Sequence, residues 1–147
     1  MAYKKIVCGV TASAAAARAA LEAASLAKLH GAQLFYVYAV DLDFLKSGRM
    51  GNLSQDVIAQ SIEKIGKQIV DTAEQIAASE GVKPEKIVRR GTVLDVLEQV
   101  MSEQKADLLV LGHEERTFVE KHLFKGDVED HVQELKARTG AEVKIIQ

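Results

Sequence analysis

Tryptophan is absent from this chain, cysteine and proline occur once each, and aromatic residues make up only 5% of its 147 positions. So few aromatic faces leave a base-stacking platform for nucleic acid poorly supplied. The single cysteine, Cys8, excludes an internal disulfide and, within an apolar run, reads as a small buried hydrophobe. An excess of one charge is also missing: 19 Lys and Arg oppose 21 Asp and Glu, for a net charge of −2. That balance offers no electrostatic footprint for nucleic acid. Long apolar runs are lacking too. Ile6 to Val10 is too short for the core of a secretion signal, and the Ala-rich stretch is interrupted by Arg18, Glu22 and Lys28. The expectation is a cytoplasmic chain with no membrane or nucleic-acid partner.

Several chemistries are excluded by missing motifs. Neither G-x-G-x-x-G after the first apolar run nor G-x4-G-K-[ST] is present. Gly9-Val-Thr-Ala12 and Arg89-Arg90 do not supply the acids of a phospho-receiver, and the His-rich or Ser-Gly-Gly signatures of nucleotidylyl-transferases and pyrophosphatases are absent. His113, His122 and His131 are spaced nine apart, which puts neighbours on opposite sides of a helix, so a metal site is not expected.

What remains is an ordinary folded composition, 48% hydrophobic and 27% charged, in a length that suits one domain over residues 1–147. Short β-rich runs alternate with helical segments. Ile6 to Val10 is followed by Ser13, an N-cap for a helix ending near Gly31, with Ala17, Leu21, Ala24 and Leu29 roughly on one face. Gln33 to Val40 is almost continuously apolar, as in a parallel sheet covered on both faces. After a long connection from Asp41 to Leu53, Ser54 starts a helix with Val57, Ile58, Ile62, Ile65, Ile69, Ala73 and Ile76 at three- and four-residue steps. Gly81 and Pro84 stop it.

Lys86 to Arg90 reads as a more polar strand near an edge, and Thr92-Val-Leu-Asp95 as a capping box for a helix to about Glu103. Asp107 to Leu111 is a fourth strand, breaking at Gly112. Asp127 opens a helix to about Arg138, and Ala141 to Ile146 is a fifth strand. This order predicts a three-layer α/β/α domain with a five-stranded parallel sheet. Ligands of such folds gather at the carboxyl ends of the strands: Gly9 to Ser13, Val40 to Asp43, Arg90 to Thr92, and Gly112 to Glu115. Gly112 to Val128 has the layout of a phosphate loop, with a glycine at a strand end and Gly126 just before a helix. Glu114, Glu115 and Asp127 oppose that chemistry, and Asp127 is explained equally well as an N-cap. Asp41-x-Asp43 reads as a surface turn.

Tyr3-Lys-Lys-Ile-Val7, Arg18-Ala-Ala-Leu-Glu-Ala-Ala24, Val40-Asp41, Gly91, Ala106-Asp-Leu-Leu-Val-Leu-Gly112 and Ala141-Glu-Val-Lys-Ile-Ile146 together resemble the universal stress protein family over essentially the whole chain. The resemblance implies an adenine-nucleotide α-hydrolase-like fold with sheet order 3-2-1-4-5. It also implies a homodimer paired through its last strand, here with Val143 and Ile145, acting in stress response. ATP-binding members carry G-x2-G-x9-G-[ST]. Gly112 and Gly126 match its first and third glycines, but Glu115 stands at the second and Asp127 at the hydroxyl position. The gap from Glu115 to Gly126 is ten residues instead of nine, and Thr11 takes the place of the family's first-loop Asp.

A carboxylate about 4 Å from a phosphate charge costs on the order of 1 kcal/mol in water and about 4 at an intermediate dielectric. Asp127 alone would therefore weaken a triphosphate by roughly one to three decades. The expectation is a non-enzymatic homodimer without cofactor, acting through unknown protein partners, with the segments Asp41 to Leu53 and Glu114 to Lys125 as candidate surfaces. The alternative is an ATP- or AMP-binding sensor or weak ATPase. Its site would draw on Thr11, Val40, Gly112, Arg116, Gly126, Asp127 and Val128, with Lys121 and Lys125 offsetting part of the acidic charge.

Overall fold

The computed structural model describes residues 2–42, 55–112 and 128–147, the side chains of residues 128–132 excepted. In chain order it contains β1 (Lys5–Gly9), α1 (Ala14–His30), β2 (Gln33–Val40), α2 (Gln55–Ala78), β3 (Glu85–Arg90), α3 (Val93–Gln104), β4 (Leu108–Gly112), α4 (Val128–Thr139) and β5 (Glu142–Ile146). All pairings are parallel, as the alternation of elements predicts, and the strand order is 3-2-1-4-5, as the family resemblance implies.

Period-two alternation divides the central strands between two cores. Ile6, Cys8, Leu34, Tyr36, Leu108 and Val110 face the layer of α1 and α2. Val7, Phe35, Val37 and Leu109 face the layer of α3 and α4. Burial on both sides explains why these strands read as continuous apolar runs.

Asp107, one residue before β4, joins three strand starts. Its carboxylate accepts from the backbone N–H groups of Lys4 (2.9 Å) and Lys5 (3.1 Å). Its own N–H donates to the Lys5 carbonyl (3.0 Å), and its carbonyl accepts from the Glu142 N–H (3.3 Å). The Ala-Asp-Leu pattern thus has a structural origin at the amino-terminal end of the sheet, opposite the expected ligand rim.

Helix ends follow the sequence closely. The Ser13 side chain accepts from the Ala16 N–H, and Gly31 closes α1 in the left-handed region at φ 66°. The Thr92 side chain accepts from the Asp95 N–H at the start of α3.

Helix faces differ from expectation in two places. α1 is seated through Ala16, Ala19, Ala20, Ala23, Ala24 and Ala27, while Ala17 is exposed, Leu21 is 43% exposed and Leu29 76%. α2 is seated through Ala59, Gly66, Val70, Ala73 and Ala77, leaving Val57 and Ile65 more than half exposed. In both helices small residues allow closer approach to the sheet than the larger aliphatics would. At Gly66 an added Cβ would lie 2.4 Å from the Tyr38 ring. A third, smaller difference concerns Gly112, which is the last residue of β4, paired with Ile146, instead of the point where the strand breaks.

The two outer strands are unlike. On β3, Lys86 pairs with Asp71 (2.8 Å) and Glu74 (3.0 Å), Arg89 with Glu103 (2.6 Å), and Arg90 with Glu63. These partners raise the Lys86 and Arg90 pKa values and lower that of Glu103, in each case chiefly by hydrogen bonding. On β5, Val143, Ile145 and Ile146 are only partly covered, and Lys144 pairs with Glu22 at 2.8 Å.

Candidate functional site at the carboxyl rim of the sheet

The register of the strands shapes the rim. Gly9, the last residue of β1, has Val37 as its partner, and β2 continues three residues further to Val40. At roughly 3.3 Å per residue, Val40 stands about 10 Å beyond that pairing. Val40 is buried, and its carbonyl accepts from the Gly91 N–H at 3.0 Å. Gly91 has φ 144°, a backbone that L side chains rarely adopt, which is why a glycine makes the turn into α3.

After β1, the Val10 N–H donates to the Val37 carbonyl at 2.9 Å, holding the loop against β2. Thr11 is exposed; its hydroxyl donates to Ser13 Oγ (3.1 Å) and accepts from the Ser13 N–H (3.3 Å). The hydroxyl thus belongs to the turn that sets the α1 cap. β4 ends against the same helix. A Cβ at Gly112 would meet Ala15 C and O at 2.5 Å and Ala16 N at 2.7 Å, all backbone atoms. Close packing alone therefore requires a glycine there, whatever ligand is or is not bound.

Of the sequence-derived candidates, Thr11, Val40 and Gly112 lie at this rim, and Val128 opens α4. Arg116, Gly126 and Asp127 lie outside the described residues, as do Asp43, His113, Glu114, Glu115, Lys121, His122 and Lys125. The His131 side chain is also outside them, and Asp41 is exposed just past β2.

Burial pushes the Cys8 thiol up, away from thiolate character. It does the same to Tyr36, whose hydroxyl donates to the Ala20 carbonyl at 2.7 Å. Among the described residues no group of three or more His, Cys, Asp or Glu could hold a metal ion, and no helix is long and apolar enough to cross a membrane.

Sequence reasoning missed a cleft of about 400 Å3 between α1 and α2, with Thr11 at its mouth and Ile65 and Ile69 in its wall. Its signal was present: the isoleucines of α2 are offset around the helix from Gly66, Ala73 and Ala77, so the helix has two apolar directions.

A model of the universal stress protein family matches residues 2–136. A universal stress protein of Methanocaldococcus jannaschii is 28% identical over 130 residues, which is 88% of this chain and 75% of that protein. UspA of Lactobacillus plantarum superposes with a TM-score of 0.78 at 20% identity, covering 100% of this chain and 99% of that one. The universal stress protein of Archaeoglobus fulgidus in complex with dAMP gives a TM-score of 0.63 at 22% identity, with 100% of both chains covered. The superpositions speak for the fold, an α/β architecture with a five-stranded parallel sheet, and the family model speaks for descent: the chain belongs to the universal stress protein family.

Proposed function

We propose that this chain is a non-enzymatic, cytoplasmic homodimer that acts in stress response through protein contacts and does not bind ATP by the usual family motif. The observation that carries this reading is the pair of acids, Glu115 and Asp127, standing where that motif has a glycine and a hydroxyl. Each adds a negative charge at a motif position that serves the nucleotide in ATP-binding members, and Glu115 also lacks the freedom of backbone approach that glycine gives. The ten-residue gap before Gly126 and Thr11 in place of the first-loop Asp point the same way. The Thr11 hydroxyl is already engaged with Ser13, so a ribose would have to compete for it.

Dimerisation through β5 is supported by the contrast between the outer strands. β3 has three ion-paired cations, Lys86, Arg89 and Arg90, whereas β5 has one, Lys144, beside the partly exposed Val143 and Ile145, and among the described residues β5 is an outer strand of the sheet. Light scattering at micromolar concentration should find a dimer, and Val143→Lys with Ile145→Lys should give a monomer. A monomeric wild-type chain would remove the strand-pairing idea.

The nucleotide question is settled by melting experiments. ATP at about a hundred times its dissociation constant stabilises a fold by roughly 2.7 kcal/mol. The expected outcome with millimolar ATP is no shift, and a clear upward shift would overturn the reading. The alternative, an ATP- or AMP-binding sensor or weak ATPase, draws support from the dAMP complex of the Archaeoglobus relative. It would use Gly112, Arg116, Gly126 and the backbone of Val40 and Val128. Replacing both acids, Glu115→Gly with Asp127→Ser, should raise ATP affinity by about tenfold or more if charge is the obstacle. Unchanged binding would place the obstacle in the loop length.

A further inference from the structure

The cleft between α1 and α2 arises from a mismatch of side-chain size. Its α2 wall carries Ile65, Ile69 and Ile76, while its α1 wall carries only the methyl groups of Ala16, Ala17 and Ala20. Val10 and Ala73, both buried, close the floor. Beyond the cleft the Lys28–Glu80 ion pair, at 4.0 Å, joins α1 to the turn that follows α2. A volume of about 400 Å3 lies within the usual range of roughly 300–1,000 Å3 for small-molecule sites.

We propose that this cleft binds a neutral aliphatic molecule with one polar end, its chain along the alanine and isoleucine walls and its hydroxyl or carbonyl at Thr11 and Ser13. Charge selects this class. None of the described lining residues is charged, so an ionised group held against them would be desolvated without a partner. Two amides at the start of α1 are already engaged: the Ala16 N–H donates to Ser13 Oγ and the Ala17 N–H to the Ser13 carbonyl. The polar groups that do line the cleft are neutral, namely Thr11, Ser13, Gln68 and Thr72. Ile65, 51% exposed in the protein alone, is the side chain an aliphatic ligand would cover. The proposal is independent of the nucleotide reading, sharing only Thr11 with that candidate site.

The test is a titration of the whole chain with 1-decanol, followed by backbone and methyl NMR. Saturable shifts confined to Val10–Ala20 and Ile65–Ile76 are expected, with decanoate at neutral pH binding at least tenfold more weakly. Ala17→Phe places a ring in the cleft from an exposed position and should lower decanol affinity at least tenfold with the melting temperature unchanged. Ile65→Gln, also at an exposed position, should weaken binding in the same direction and serves if the first variant folds poorly. The proposal is overturned by shifts that do not saturate, by shifts scattered over the surface, or by decanoate binding as tightly as decanol. Affinity that survives both substitutions would overturn it too, as would contacts from residues 43–54 that occupy the cleft and are not displaced.

Discussion

The two helical layers meet the same sheet in different ways. α1 and α2 are seated mostly by methyl groups and a glycine: Ala19, Ala23 and Ala27 from one helix, Gly66, Ala73 and Ala77 from the other. α3 on the opposite face uses Val96, Leu97, Val100 and Met101, a layer of long side chains. Small residues bring a helix axis close and leave little to lose by truncation but much to lose by enlargement. Long residues reverse both sensitivities. The difference also accounts for the cleft, since methyl groups opposite isoleucines leave a gap that long side chains would have filled.

Substitutions can break or sharpen this contrast. Leu97→Ala, in the long-side-chain layer, should destabilise most, by about 2–5 kcal/mol in urea unfolding. A loss under about 1 kcal/mol would mean that α3 does not hold its layer as described. Ala23→Leu, in the methyl layer, should cost about 1–3 kcal/mol through overpacking, even though it adds apolar surface. Stabilisation by that enlargement would show that α1 is not closely seated. Thr92→Ala removes the α3 cap and should cost about 1 kcal/mol, read as a lowered melting temperature. The smallest effect is expected for Leu29→Gln, on the outward face of α1, within about 0.5 kcal/mol. A large loss there would restore the face on which the sequence had placed Leu29.

The sequence made the strand and helix order legible because each boundary carries a local signal. Ser13, Gly31, Thr92 and Gly140 punctuate helices through their own side chains or backbone freedom, so no distant contact is needed to read them. The polarity of β3 was enough to place it near an edge. Helix orientation was harder to read. In α1 alanines occupy almost every direction around the axis, so the pattern Ala17, Leu21, Ala24, Leu29 looked as credible as the stripe that is buried. Asp107 was visible only as part of a family pattern, because its partners Lys4 and Lys5 lie about a hundred residues away. At the rim, Thr11, Val40 and Gly112 were placed correctly at strand ends, but the reason for Gly112 was not readable. It lies in the backbone of Ala15 and Ala16.

By itself the sequence determined the alternation of elements, the caps that bound the helices, and the acids at 115 and 127 on which the proposed function rests. Those are properties of single residues and short windows, where propensity, charge and spacing act directly. Tertiary structure alone decided which stripe of an alanine-rich helix turns inward, and why no side chain fits at Gly112. It alone placed the neutral cleft between α1 and α2. The physical reason is common to all three: a methyl group or a glycine has almost no preference of its own, and its place is chosen by what the neighbouring element can approach.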